Sequence, residues 1–168
     1  MRILRRAALG LLISAGFAAA AHADWTRSDF PQHGFSAAFP RTPDEEARTA
    51  NGTTLHTIST GDPRGFCIVV VDKAADIKDP DVELVASRYS FPDDFGGKVG
   101  VSKRFSYRRG AAKLPALEFD AANATHRFLT LIVIDGAKAY QVMAGVPNAG
   151  GDSGDLERCV RGFKLTGN

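Results

Sequence analysis

The chain has 168 residues, with 21 Lys and Arg against 19 Asp and Glu and a formal net charge of +2. Three of the basic residues, Arg2, Arg5 and Arg6, lie within residues 1–23; without that segment the balance is 18 against 19. A charge so close to zero excludes a strongly basic nucleic-acid binder, and residues 24–168 suit a single domain around one core.

Residues 1–23, MRILRRAALGLLISAGFAAAAHA, join a basic start to an apolar stretch and end on Ala21-His22-Ala23. This is the pattern of a secretory signal peptide with a small-residue cleavage site. The apolar stretch is too short and too rich in Ala and Gly for a membrane span, and no later segment approaches the roughly 20 apolar residues that spanning needs. The expectation is a bacterial protein of the periplasm or exterior, soluble from about Asp24, with no transmembrane segment. No Cys precedes Cys67, so there is no acylation site at the cleavage point. The Arg5-Arg6 pair leaves twin-arginine export open beside ordinary secretion.

After a segment holding Trp25 and Phe30, GFSAAF (34–39) alternates Phe35, Ala37 and Phe39 on one face and reads as a first strand. Pro40 and Pro43 cannot donate ladder hydrogen bonds and close it. Residues 44–50 and 53–60 flank Asn51-Gly52, a two-residue hairpin signal. Asp62-Pro63-Arg64-Gly65 is a further turn, and it leads into FCIVVV (66–71), apolar on both faces as an interior strand is. Asp79-Pro80 starts a helix, a capping side chain followed by proline at the first helical position. Val82, Val85, Ala86 and Tyr89 recur at the spacing of one helical face, and Pro92 with Gly96-Gly97 ends the helix. Over residues 99–109, Val101, Phe105 and Tyr107 alternate with Ser102, Arg104, Ser106 and Arg108, predicting a strand with one wet face. Residues 113–121 form another strand despite Pro115. RFLTLIVI (127–134) and AKAYQVMAGV (137–146) meet at Asp135-Gly136 as a hairpin. A Gly-rich loop (148–151) precedes a cap at Asp152 and a short helix with Leu156, Cys159, Val160 and Phe163 on one stripe. Strands joined mostly by hairpins predict a mainly antiparallel sheet flanked by helices, an α+β domain.

This order of parts resembles the PsbP-like family: a secretory leader, GFSAAFPRTP, a central helix, the hairpin RFLTLIVIDGAKAYQV and a last helix running into GFKL. The family takes in the extrinsic photosystem II protein, secreted bacterial relatives and a eukaryotic Ran-binding relative. The resemblance implies an antiparallel sheet sandwiched by helices, an α/β/α arrangement, and an accessory or assembly role without a shared catalytic apparatus. It transfers no photosystem-docking residue to this chain.

Three features bear on chemistry. GDSG (151–154) matches the nucleophile motif of chymotrypsin-like proteases, but it lies near the C-terminus of a chain too short for that fold, and the same residues suit the start of a helix. Ser153 would be the nucleophile of a small secreted hydrolase only if folding brought a histidine to it. His33, His56 and His126 lie on separate elements without metal-ligand spacing, so neither a metal nor a cofactor is expected, and no catalytic residue is assigned. The acids Asp76, Asp79, Asp81 and Glu83 suit a helix start, and Asp93 and Asp94 a solvated loop.

From Lys98 to Lys113 six basic residues occur without an acid: Lys98, Lys103, Arg104, Arg108, Arg109 and Lys113. Such a run is either a solvated strand face that discourages edge aggregation or a docking face, with Lys103, Arg104, Arg108 and Arg109 meeting an envelope protein or an anionic polymer or lipid. Cys67 and Cys159 both fall on core-facing positions in an oxidising compartment and are expected to pair. Closing their 92-residue loop would stabilise the fold by roughly 4–5 kcal/mol by the loop-entropy argument; two buried free thiols are the alternative. The leading functional reading is an exported, non-enzymatic binding or accessory protein.

Overall fold

In the computed structural model, residues 24–50, 53–62, 65–72 and 77–167 are described. The leader, the Asn51-Gly52 turn, Pro63-Arg64 and Asp76 lie outside these residues. In chain order the elements are β1 (Thr26–Phe30), β2 (Phe35–Phe39), β3 (Asp44–Ala50), β4 (Thr53–Asp62), β5 (Gly65–Asp72), α1 (Pro80–Phe95), β6 (Lys98–Arg109), β7 (Ala112–Ala122), β8 (His126–Asp135), β9 (Lys138–Pro147), α2 (Ser153–Gly162) and β10 (Lys164–Leu165).

The large sheet grows from hairpins. Seven strands pair in the order β3-β4-β5-β9-β8-β7-β6, every pair antiparallel. The hairpin β8–β9 closes on Asp135↔Lys138, so its two turn residues are Gly136 and Ala137, one position later than the Asp-Gly reading. Gly136 takes φ 60, the left-handed backbone that a two-residue hairpin turn demands and that glycine adopts without a Cβ penalty. The apolar run of β5 is interior as expected, between β4 and β9.

Period-two alternation sends the central strands' side chains to two cores. One face of the sheet carries Ile58, Cys67, Val69, Leu131, Val133, Tyr140 and Val142, covered by α2 and by a separate sheet β1-β2-β10. The other carries Leu117, Phe119, Phe128, Ile132 and Met143, covered by α1. The three layers are therefore α1, the large sheet, and α2 with the small sheet, the α+β sandwich anticipated. Phe35, Ala37 and Phe39 are fully buried. The Trp25–Phe30 segment is itself a strand, β1, paired along β2 from Thr26↔Phe39 to Phe30↔Phe35. The closing GFKL supplies β10, paired to β2 through Lys164↔Ser36. Helix α2 approaches β2 closely: a Cβ on Gly162 would stand 2.6 Å from the Ala38 Cβ.

Helix α1 starts as expected. The Asp79 side chain accepts hydrogen bonds from the amides of Asp81 (2.9 Å) and Val82 (3.3 Å), with Pro80 at the first turn. Its buried face is not the expected one. Val82 and Tyr89 are 62% and 68% exposed, whereas Leu84 and Phe91 are each 1% exposed. Positions 84, 88, 91 and 95 make the inward stripe, because Phe91 and Phe95 stack on each other (4.9 Å) and meet Phe128. These aromatics outweigh the smaller stripe, and they carry the helix through Pro92 to Phe95. Replacing Leu84 by Ala should cost about 2–5 kcal/mol in urea unfolding. Tyr89→Ala should stay within about 0.5 kcal/mol; the reverse order of effects would contradict this orientation.

Cys67 in β5 and Cys159 in α2 form a disulfide, with Cα atoms 5.7 Å apart and a sequence separation of 92. It joins the middle of the large sheet to the layer above it. Thiol labelling of denatured, unreduced protein should therefore detect no reactive cysteine. Cys67→Ala with Cys159→Ala should lower unfolding stability by about 2–5 kcal/mol.

Candidate functional site at the basic edge strand

β6 ends the large sheet, and among the described residues it pairs only with β7. Its register places Ser102, Arg104, Ser106 and Arg108 opposite Phe119, Leu117, Pro115 and Lys113, on the face that α1 covers. Lys103, Phe105, Tyr107 and Arg109 fall on the other face, where Phe105 and Tyr107 pack toward α2 and its neighbours. The alternation expected for residues 102–109 is thus present. Val101 departs from it: the register shifts between Val99 and Ser102, and Val101 is 79% exposed instead of sharing the core face of Phe105. A bulge of this kind inserts a residue into one strand and re-aims the side chains beside it.

The basic run is consequently divided between two faces, and its members differ in chemistry. Arg104 reaches across to α1, where its Nη1 lies 3.0 Å from Asp81 Oδ1. Arg109 is paired with Asp135 at the end of β8, both side chains being largely buried. These two arginines tie the edge strand to its neighbours. Lys103 and Arg108 are exposed and make no ion pair among the described residues. Arg108 also stands across the ladder from Lys113, an unrelieved like-charge pair.

A groove of about 370 Å³ runs between β6 and the end of α2, lined by Tyr107, Arg108, Arg109, Arg161, Phe163 and Lys164 among others. Aromatic rings form part of its wall and cations stand along it. The Tyr107 hydroxyl donates to the Phe163 carbonyl at 3.2 Å, and burial raises the Tyr107 pKa, keeping the phenol protonated. Arg161 is held by Glu118 and by Glu157 (3.0 Å), and the Glu118 hydrogen bond raises its pKa. Such a groove can accept an acidic, partly apolar segment.

The GDSG segment is a helix start. Asp152 caps α2, accepting from the Gly154 amide at 2.8 Å, and Ser153 is the first helical residue. Ser153 lines a separate cleft of about 930 Å³ with Val99, Ala121, Phe128 and Leu156. His126 is bonded to Thr125 (2.8 Å), while His33 and His56 stand beside Glu45. Among the described residues no histidine hydrogen-bonds the Ser153 hydroxyl, so the base that a serine hydrolase requires is not in place.

Folding does bring two histidines together. The rings of His33 and His56 lie 4.4 Å apart with Glu45 between their nitrogens. No spacing in the sequence announces this grouping, because His33 comes from the β1–β2 connection and the other two from β3 and β4. The only sequence signal available was the alternation of β3 and β4, which places Glu45 and His56 on one face once the hairpin register is known.

No family model and no curated protein matches this sequence. Among solved structures, the chain is similar to cyanobacterial PsbP (CyanoP) from Synechocystis sp. PCC 6803. The two are 11% identical, the match covers 94% of this chain and 98% of that one, and the TM-score is 0.54. The chain has a PsbP-like α+β fold.

Proposed function

We propose that this chain is an exported, non-enzymatic accessory protein that binds an acidic partner in the cell envelope through the β6 edge. The observation that carries the reading is β6 itself. It is a twelve-residue strand with no outer partner among the described residues, bearing Lys98, Lys103, Arg104, Arg108 and Arg109 and no acid. An open strand edge offers main-chain hydrogen bonds to a second chain, and unpaired cations beside it steer an acidic surface toward it. Lys103 and Arg108 are the side chains to which this docking is assigned, since Arg104 and Arg109 are committed to Asp81 and Asp135.

Four further observations support the reading. Residues 1–23 have the composition of an export signal, and the disulfide is of the kind that persists in oxidising compartments. No helix among the described residues is long and apolar enough to cross a membrane. The PsbP-like fold is consistent with an accessory role.

Lys103→Gln with Arg108→Gln should leave unfolding stability within about 0.5 kcal/mol, since both side chains are exposed and form no ion pair among the described residues. The same variant should lose an association with envelope protein that wild-type protein shows at low salt and that added salt weakens. Retention of the same partners by the variant would reduce the basic run to a solvated, aggregation-resistant edge. Salt-sensitive sedimentation with anionic vesicles, lost in the variant, would move the partner from protein to lipid.

A further inference from the structure

We propose that His33, Glu45 and His56 form a binding site for a divalent transition metal of the Zn²⁺ class, clipping the β1–β2 turn to the β3–β4 hairpin. In the β3–β4 ladder, Glu45 stands opposite Ile58 and Ala47 opposite His56. Glu45 and His56 are therefore diagonal neighbours on one face, a separation that longer side chains bridge. Ile58 belongs to the core beneath the small sheet, so this is the face over which the β1–β2 turn lies.

His33 is fixed in that turn by its backbone. Its amide donates to the Phe30 carbonyl (3.0 Å), and its own carbonyl accepts from the Tyr140 hydroxyl at 2.8 Å. Burial pushes the Tyr140 pKa up to about 12, with Asp135 adding to the effect, so the phenol remains a donor throughout the working range. The His33 side chain, 2% exposed, is aimed at Glu45, with Nε2 2.7 Å from Oε1; His56 Nδ1 is 3.6 Å from the same oxygen.

The donor set fits a first-row cation. Ligand atoms at about 2.0–2.1 Å from a tetrahedral zinc stand roughly 3.3 Å from one another, so the observed 2.7 and 3.6 Å need only small side-chain adjustments. The His56 Nδ1 atom is buried and without a hydrogen-bond partner. An orphaned imidazole nitrogen beside a carboxylate is costly unless something completes it, and a cation does so. The hydrogen bond from His33 lowers the Glu45 pKa, which keeps this ligand ionised at neutral pH. Glu45 is 39% exposed, giving the ion a way in and leaving a fourth position for water. Calcium and magnesium prefer six or more oxygen ligands, which two imidazoles and one carboxylate do not offer. The second ring nitrogen of His33, Nδ1, is also buried and unpartnered; the ring is oriented by its backbone contacts and by packing on Phe35.

Titration of the purified, tag-free chain with Zn²⁺ against a chromophoric chelator should show one tight equivalent that Ca²⁺ and Mg²⁺ do not displace. Glu45→Gln and His56→Gln should each weaken it more than tenfold, while His126→Gln binds as wild type. Zn²⁺ should raise the melting temperature of wild type and not of the first two variants, because an ion that binds the folded state alone stabilises it. Absence of a tight equivalent, unchanged binding in both variants, or loss of binding in His126→Gln would overturn the proposal. If a variant fails to fold, the imidazole resonances of wild-type protein decide: one equivalent of Zn²⁺ must shift those of His33 and His56 and leave His126 in place.

Discussion

The middle strands of the large sheet are apolar on both faces, and the rest of the architecture answers that constraint. β8 and β9 share one burial pattern, with an unbroken run of buried positions toward their C-terminal ends. Strands of this kind cannot leave one side to water as a half-buried antiparallel sheet does. A layer is required on each face, and the chain supplies unlike ones. α1 covers one face with Leu84, Phe91 and Phe95. The other receives α2 and the small sheet, where Phe30 packs on Phe35 and Phe39, and Phe35 meets Tyr140 and Phe163. The disulfide belongs to this second layer, where a ten-residue helix and a three-stranded sheet would otherwise rest on packing alone. The covalent link holds the layer whose contacts are most dispersed along the sequence.

Features governed by local rules were legible before folding. The β3–β4 pairing, the interior β5 run, the caps at Asp79 and Asp152 and the stripe of α2 follow from local patterns, and each lies where its pattern placed it. The Asp135-Gly136 turn was displaced by one residue because the ladder extends through Asp135↔Lys138, and glycine then serves as the first turn residue. The α1 stripe was misread for a different reason. Val82, Val85, Ala86 and Tyr89 satisfy helical spacing, but spacing does not rank competing faces. Leu84 and two phenylalanines bury more apolar area than that stripe offers, and Pro92, read as a terminator, masked Phe95 as part of the same face.

What the sequence concealed was decided by distant pairing. β1 looked like an approach to the first strand because Thr26–Phe30 gains its ladder only from β2, and β10 is two residues long and exists only against Ser36 and Phe35. The histidine pair is the same case in chemical form. His33 and His56 are separated by two strands and a turn, and their convergence follows from the small sheet lying over the β3–β4 face. A motif search looks for ligands spaced along one element; a site assembled from three elements leaves no such trace.

The same distinction separates the cations of β6. Charge counted along the sequence makes Lys98 to Lys113 one feature, whereas pairing makes it two. Arg104 and Arg109 hold acids on α1 and at the end of β8, one on each face of the sheet. The Arg104 pair is exposed and contributes at most about 1 kcal/mol, but the two together brace the outermost strand from both sides. That bracing matters because β6 lacks, among the described residues, the second row of ladder hydrogen bonds that an interior strand enjoys. Held in this way, the edge strand keeps its outer donors and acceptors without a strand partner among the described residues. Lys103 and Arg108, which form no ion pair among the described residues, then have two consistent physical consequences: their hydration opposes pairing with another copy of the same basic edge, and their charge favours pairing with an acidic one. Repulsion of like edges and attraction of unlike ones come from the same two side chains.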